Sequence, residues 1–429
     1  MEFIDLYQHF LQSSGVSIDT RTINKGELFF GLVGERFNGS LYAEQALAAG
    51  ASKVVVQGRS KEEGDERYVH VEDALESLQN IAKYHRAQLN IPVIGITGSN
   101  GKTTTKELLY EVLSTQYKVS ATKGNFNNHI GVPLTLLNAD RDVEVLIVEM
   151  GTNQPGDIAE LCAIADPNHG IITNIGASHL ERLVSKEGVY QEKKNLFDHV
   201  NSSGGVFFLN CSDELLENIK DIDFETVDYQ SDRSDYGTLE MVDTSDGHLK
   251  LMLKKDGKMY KMKTNLSGAY NIENISACMT IGHHFNVTIQ HTISAIESYK
   301  PSNMRSQVIQ TQRNVIILDA YNANPTSMKA SVSTFEQGQS QVLLILGDML
   351  ELGEKSEYYH KEIVNLISAA HLKAILVGKA FGKVQDQKYK TFENVQALIE
   401  SEELSKVKNH HILIKASRGV KLEQVVYYL

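Results

Sequence analysis

The stretch GITGSNGKTTTKELL, Gly95 to Leu109, decides the fold around it. It follows NIPVI, an apolar run that reads as the start of a strand ending at Thr97. It leads into a segment with Leu108, Leu109, Val112 and Leu113 at helical spacing. Strand, glycine turn and helix in that order make a phosphate loop, and Gly98, Ser99, Asn100, Gly101, Lys102, Thr103 and Thr104 are its candidate nucleotide ligands. Gly98 and Gly101 let backbone N–H groups turn toward an anion, Lys102 can reach the β- and γ-phosphates, and Thr103 can bind Mg²⁺. The helix N-terminus adds partial positive charge. Only Ser99 and Asn100 separate Gly98 from Gly101, two residues fewer than the four of the standard form of the motif.

Outward from this loop, VEVLIVEM, GIITNIG and GGVFFLN are continuous apolar runs of the kind found in parallel strands covered on both faces. Upstream, Leu28 to Leu89 alternates short strands with helical patterns, and a break falls near Asn90 and Pro92. Between Tyr236 and Thr264, Asp246-Gly247 and Asp256-Gly257 look like hairpin turns of an antiparallel appendage. After SYKPSNMR the rhythm resumes with NVIILDAY, QVLLILGDM, AILVG and HHILIKAS. The expected architecture is α/β in three domains. A small N-terminal α/β domain (1–89) precedes a central parallel-sheet ATPase domain with the phosphate loop (90–300), and a Rossmann-like α/β domain follows (301–429).

Composition narrows the function. A net charge of -12 without a Lys/Arg run argues against nucleic-acid binding. The 3 cysteines lack CxxC spacing, so neither a disulfide framework nor a zinc site is expected. MEFIDLYQHF is unlike a signal peptide, and no apolar run approaches the roughly 18 residues a bilayer crossing needs. A cytoplasmic protein without membrane insertion, and a monomer, are the expectations.

Two more residues bear on the loop's chemistry. Glu149 closes the strand VEVLIVE, where a carboxylate can serve as a second Mg²⁺ ligand, and His179 follows another strand, where an imidazole can bind metal. Taken with TGSNGKTTT, the segments DTRTINKGELFFGL, TKGNFNNHIGVPLTLL, EMGTNQPGDIAEL, ITNIGASHLE, YNIENISA, NMR, DAYNANPTSM, LGDMLELGE and KASRG resemble the Mur ligase family. These are ATP-dependent enzymes that add amino acids to the peptidoglycan precursor, and folylpolyglutamate synthetase resembles them too. DAYNANPTSM, GDMLELG and KASRG are most similar to the branch that joins D-alanyl-D-alanine to UDP-N-acetylmuramoyl-tripeptide, whereas no DNPR amino-acid pocket sequence occurs.

The resemblance implies that ATP phosphorylates the tripeptide's terminal carboxylate and that the dipeptide amine attacks the acyl phosphate, with two Mg²⁺ ions and a carbamoylated lysine. That lysine falls in GVYQEKKNLF, where spacing to Phe197 favours Lys193 over Lys194 without deciding between them. It further implies that Asn271 and Asn274 lie on the adenine side, that Arg305 and Asp319 close over the phosphates and ribose, that Asn125 and Asn128 orient the precursor, and that Thr20 and Arg21 grip the UDP group. For the dipeptide carboxylate, the expected site is the helix beginning at Pro325, with Asn322 and Asn324 before it and positive charge from Lys415 and Arg418. Two departures stand out: Leu318 precedes Asp319 where the branch has a second aspartate, and YQEKKNL replaces a small-residue segment around the lysine. A nucleotide-gated switch, which needs only the loop and Glu149, and another ligase step of the same family, including folate glutamylation, are the alternatives.

Overall fold

Short runs of Val, Ile, Leu and Phe interrupted by amphipathic helices build three parallel or mainly parallel sheets. The structure, a computed structural model, describes residues 3–58, 64–219, 224, 226–230, 234, 236–244, 246–336, 341–384 and 388–429. The first sheet pairs β1 (Val16–Ser17), β2 (Leu28–Gly31), β5 (Lys53–Gln57) and β6 (Tyr68–Val71) in parallel, with a small hairpin of β3 (Val33–Gly34) and β4 (Phe37–Asn38) beside it. Helices α1 (Phe3–Gln12), α2 (Ala43–Ala49) and α3 (Ala74–Gln88) flank it, and Asp73 starts α3 by accepting from Glu76 N at 2.9 Å.

The central sheet contains β7 (Val93–Thr97), β8 (Val119–Ala121), β9 (Val145–Glu149), β10 (His169–Ile172), β11 (Val206–Asn210) and β12 (Thr226–Tyr229), all parallel, in the order β12-β11-β10-β7-β9-β8. Every residue of β7 and β9 is buried, as the unbroken apolar runs require of strands covered on both faces. Its helices are α4 (Lys102–Ser114), α5 (Gly131–Leu137), α6 (Asp157–Ala165), α7 (Leu180–Leu183), α8 (Lys186–Ser202) and α9 (Glu214–Glu217). The chain runs from β7 to one sheet edge and later returns to its other side, so the C-terminal end of β7 is a switch point where a crevice opens.

The appendage is β13 (Thr238–Asp243), β14 (Lys250–Lys255) and β15 (Lys258–Lys263). Asp256 and Gly257, at φ 50° and 71°, make the expected two-residue turn. Asp246-Gly247 instead lies within a longer connection from Asp243 to Lys250, because its residues do not directly join two paired strand ends. Helices α10 (Asn271–His284) and α11 (Ile289–Ser298) then lead to the last sheet. That sheet comprises β16 (Gln307–Gln310), β17 (Val315–Asp319), β18 (Val342–Gly347), β19 (Lys373–Val377), β20 (Lys390–Phe392) and β21 (His411–Lys415), ordered β16-β17-β21-β18-β19-β20 with only β16 antiparallel. Helices α12 (Pro325–Glu336), α13 (Ser356–Ala369), α14 (Lys379–Lys383) and α15 (Val395–Glu400) complete it.

The first two sheets share a core. Leu6, Phe10, Leu28, Phe30, Leu78 and Ile81 belong to one buried cluster with Val132, Leu136, Leu146 and Leu161. Arg86, 6% exposed, fastens α3 to the central sheet by donating to Ala165 O at 2.9 Å and Asp166 O at 2.8 Å. The third sheet has its own apolar clusters on its two faces. Among the described residues no helix is long and apolar enough to cross a membrane.

Candidate active site

A cleft of about 590 Å³ opens at the C-terminal end of β7 and is walled by the central and third sheets. Gly98, at φ 148°, lets the phosphate loop lie against β10: a Cβ there would stand 1.8 Å from Thr173 Oγ1. Gly101, at φ 83°, immediately precedes α4. Asn174 clamps Asn100 on both sides, accepting from its N–H at 3.0 Å and donating to its carbonyl at 3.3 Å. Lys102 Nζ donates to Gly98 O at 2.6 Å, folded over the loop. Burial, with Arg305 nearby, pushes its ammonium down to about 8 despite the pull of Glu149. A cation so poorly solvated gains strongly from an arriving phosphate. Ser99, Asn100, Gly101, Lys102 and Thr104 line the cleft, and Gly98 and Thr103 do not.

Glu149, 1% exposed at the end of β9, is the hub beneath the loop. Its Oε1 accepts from Thr103 Oγ1 at 3.1 Å and from Asn127 Nδ2 at 2.8 Å. Its Oε2 is buried with no hydrogen-bond partner, and Lys106 Nζ lies 3.6 Å away. A hydroxyl and a carboxylate with an unused oxygen are hard oxygen donors suited to Mg²⁺, which commonly takes one or two protein ligands and completes its shell with phosphates and water. No group of three His, Cys, Asp or Glu side chains that could hold a metal ion occurs among the described residues.

The two lysines of α8 have different surroundings. Lys193 is 1% exposed and hydrogen-bonds to no described residue; burial, with Lys102 nearby, holds its ammonium well below the usual lysine range. Lys194 is partly exposed and ion-pairs with Asp198 one turn away. Glu192, between Lys193 and the start of α6, accepts from Gly156 N and Ile158 N, both at 2.7 Å. His179 lines the cleft, but its Nδ1 meets Glu351 Oε2 of the third sheet's loop at 2.9 Å.

Across the cleft, Arg305 lies with its guanidinium carbon 4.0 Å from the centre of the Tyr321 ring, and its buried Nε has no hydrogen-bond partner. Met304 and Ser306 on either side are left-handed, at φ 58° and 51°, a strained setting that aims the arginine inward. Asn271 donates to Ser267 O at 2.7 Å and accepts from Asn274 at 2.9 Å. Asn274 Oδ1 in turn accepts from Thr105 at 3.2 Å, so the pair ties α10 to the phosphate-loop helix. Both line the cleft, as do Asp319 and Asn322.

The residues expected around the dipeptide carboxylate have distinct surroundings. Lys415 borders the cleft, is 2% exposed and ion-pairs with Asp319 on the neighbouring strand, where the two are in register. Arg418 does not line the cleft; it pairs with Glu423 at 3.1 Å. Asn324 caps α12 through Ser327 N at 2.9 Å and donates to Asn100 Oδ1 at 2.8 Å, joining the third sheet to the phosphate loop. Asn322 accepts from Ala323 N at 2.9 Å and still borders the cleft.

Asn125 and Asn128 also border it, although Asn128 Oδ1 accepts from Ile130 N at 3.1 Å and Gly131 N at 2.9 Å. Thr20 and Arg21 lie outside the cleft, and Arg21 folds back on Asp19 at 2.6 Å. Sequence reasoning missed Asn127, Lys106 and Glu351. Lys106 carried a signal: it is four residues after Lys102, on the same face of the loop's helix.

Residues 12–93, 96–282 and 304–418 match the family descriptions "Mur ligase family, catalytic domain", "Mur ligase middle domain" and "Mur ligase, glutamate ligase domain". The UDP-N-acetylmuramoyl-tripeptide–D-alanyl-D-alanine ligase of Bacillus subtilis is 36% identical over 431 residues, spanning 96% of this chain and 92% of that protein. The Haemophilus influenzae ligase of the same name is 30% identical over 98% of this chain and 94% of its own length. The crystal structure of the MurF ligase from Thermotoga maritima in complex with ADP superposes with a TM-score of 0.85 at 25% identity, covering 98% of this chain and 97% of that one.

Proposed function

This chain belongs to the Mur ligase family, and from that premise we propose that it is the ATP-dependent, ADP-forming ligase joining D-alanyl-D-alanine to UDP-N-acetylmuramoyl-tripeptide in cytoplasmic peptidoglycan precursor synthesis. The observation that carries this reading is that the likeness to the Bacillus subtilis ligase spans 96% of the chain rather than the phosphate loop alone. A nucleotide switch would have no use for the other two sheets. We assign three units, 1–89, 90–300 and 301–429, to the precursor's UDP end, the nucleotide and the incoming dipeptide.

The terminal carboxylate of the tripeptide attacks the γ-phosphorus of ATP, the bond to the ADP oxygen breaks, and an acyl phosphate forms. The dipeptide amine then adds to that carbonyl carbon, loses a proton, and phosphate leaves with the C–O bonding pair. Lys102, the loop N–H groups and Arg305 hold the phosphates and neutralise charge on the group in flight, the principal protein contribution to such transfers. Arg305 Nε, buried without an acceptor, is satisfied when an anion arrives. Thr103 and Glu149 would hold Mg²⁺, which would supply Lewis-acid neutralisation of the phosphate oxygens.

Lys193 is the lysine assigned to carbamoylation. Burial favours its neutral amine, the form that reacts with CO₂, and the resulting carbamate anion would be received by the charge of Lys102. His179 would hold a second cation together with that carbamate. Asn271 and Asn274 face the adenine, Asp319 the ribose, and Asn125, Asn127 and Asn128 the precursor.

Phosphate release with purified UDP-tripeptide and D-alanyl-D-alanine together, against each alone, tests the reading. Release only with both supports it; turnover with neither favours a switch. Tripeptides ending in lysine and in meso-diaminopimelate define the third residue.

A further inference from the structure

We propose that Glu351 is a positioning residue. From the third sheet's loop it fixes the ring of His179, on the central sheet's side of the cleft, so that Nε2 is free to be presented to the second divalent cation. The proposal rests on the ligase reading and extends it to a residue that completes the metal site only when the two lobes are docked.

The geometry is specific. His179 Nδ1 donates to Glu351 Oε2 at 2.9 Å, and Nε2 hydrogen-bonds to no described residue. A histidine that binds metal through one nitrogen typically donates the other N–H to a carboxylate, which sets the tautomer and ring orientation. Both residues stand on left-handed backbone, His179 at φ 52° and Glu351 at φ 62°, conformations that cost a non-glycine residue on the order of 1 kcal/mol or more. The pair sits at the rim of the cleft, the His179 side chain 20% and the Glu351 side chain 57% exposed.

The loop carrying Glu351 is braced from behind. His360, fully buried, accepts from Met349 N at 3.0 Å, and Leu350 N donates to Ser417 Oγ at 2.9 Å. Asp348 accepts from Ala380 N at 2.9 Å and Phe381 N at 3.0 Å. In front, Lys355 Nζ donates to Val184 O at 3.0 Å, pinning the loop beside α7. Arg182, the nearby cation bordering the same recess, is held by Gln154 at 3.0 Å and leaves the carboxylate to the imidazole.

The test uses the full chain as wild type, Glu351→Ala, Glu351→Gln, His179→Ala and the His179→Ala/Glu351→Ala double variant. Mn²⁺ binding in the presence of a non-hydrolysable ATP analogue is followed by electron paramagnetic resonance, and kcat and KM are measured separately. Glu351→Ala should weaken Mn²⁺ binding about 10-fold or more and lower kcat, with KM for D-alanyl-D-alanine nearly unchanged. Glu351→Gln keeps an acceptor oxygen and should stay within about threefold of wild type, and the double variant should bind Mn²⁺ no worse than His179→Ala alone. Wild-type Mn²⁺ affinity in Glu351→Ala overturns the proposal. So does an equal loss in the Ala and Gln variants with KM raised for every substrate, the mark of a docking contact alone. If the wild type forms no ligation product, the ligase reading falls, while the Mn²⁺ comparison still decides the role of Glu351.

Discussion

Replacing Lys415 with methionine separates two roles for this residue. Lys415 is 2% exposed and Asp319 8%, and they meet on neighbouring strands of the third sheet. For an ion pair in contact at an effective dielectric near 20, the attraction is roughly 5 kcal/mol. Desolvating the two ions costs several kcal/mol each, so the intact pair adds little net stability. Removing only the ammonium is different, because it leaves a carboxylate buried and uncompensated, at a cost of about 3–5 kcal/mol. Asp319→Asn in the same chain removes the stranded charge and should recover most of that loss, giving a coupling energy of about 3 kcal/mol in a double-mutant cycle.

Urea unfolding followed by circular dichroism measures this. With a slope near 2 kcal/mol/M for a unit of this size, Lys415→Met should lower the third unit's midpoint by about 2 M. Steady-state KM values should then rise to similar extents for ATP, UDP-tripeptide and dipeptide, since the damage is to the lobe as a whole. A wild-type midpoint with KM raised for D-alanyl-D-alanine alone would refute the reasoning and return Lys415 to the dipeptide carboxylate.

Other outcomes follow from the same structure. Lys193→Ala should abolish ligation, with partial recovery in acetate or formate, while Lys194→Ala stays within about twofold of wild type because a surface pair contributes at most about 1 kcal/mol; the reverse pattern in a ligation assay would move the carbamate to Lys194. Lys102→Ala should slow ligation by on the order of 10³-fold with an unchanged circular dichroism spectrum, and near-normal turnover would remove it from the phosphate site. His169, packed beside His284, is pushed down to about 4, chiefly by burial. The unfolded chain therefore takes up a proton between about pH 6.5 and 4 that the fold refuses, and stability present above that window is lost as pH falls. Allowing for partial exposure, His169→Gln should reduce the urea-measured loss between pH 7 and 5 by about 1–2 kcal/mol; identical pH dependence in both proteins would contradict this.

The phosphate loop was legible because its chemistry is local: strand, turn, lysine and helix lie within Gly95–Leu109. The buried strands of the central and third sheets were legible for a similar reason, as continuous apolar runs. What escaped depends on register between distant segments. Nothing near HHILIKAS announces that Lys415 faces Asp319, 96 residues earlier, and the same strand end that suggested a free cation is where its charge is spent. Within NFNNHIG three asparagines compete on equal terms, and only the fold selects Asn127 for Glu149. Glu351 sat inside a quoted motif, but its partner His179 belongs to another sheet.

The uneven way the three sheets are joined sets how this molecule should fail on warming. The first two share an apolar core, whereas the third reaches them through one partly buried apolar side chain, Tyr359, which packs against both cores, and otherwise through polar contacts: Asn324 to Asn100, Ala177 N donating to Thr326 Oγ1 at 2.9 Å, Glu351 to His179 and Lys355 to Val184. Polar links exchange readily with water, and apolar burial does not. Heat should therefore uncouple the lobes before it melts either one, so that catalysis fades while helices and strands persist, and nucleotide bound across the gap should raise the inactivation temperature more than the melting temperature.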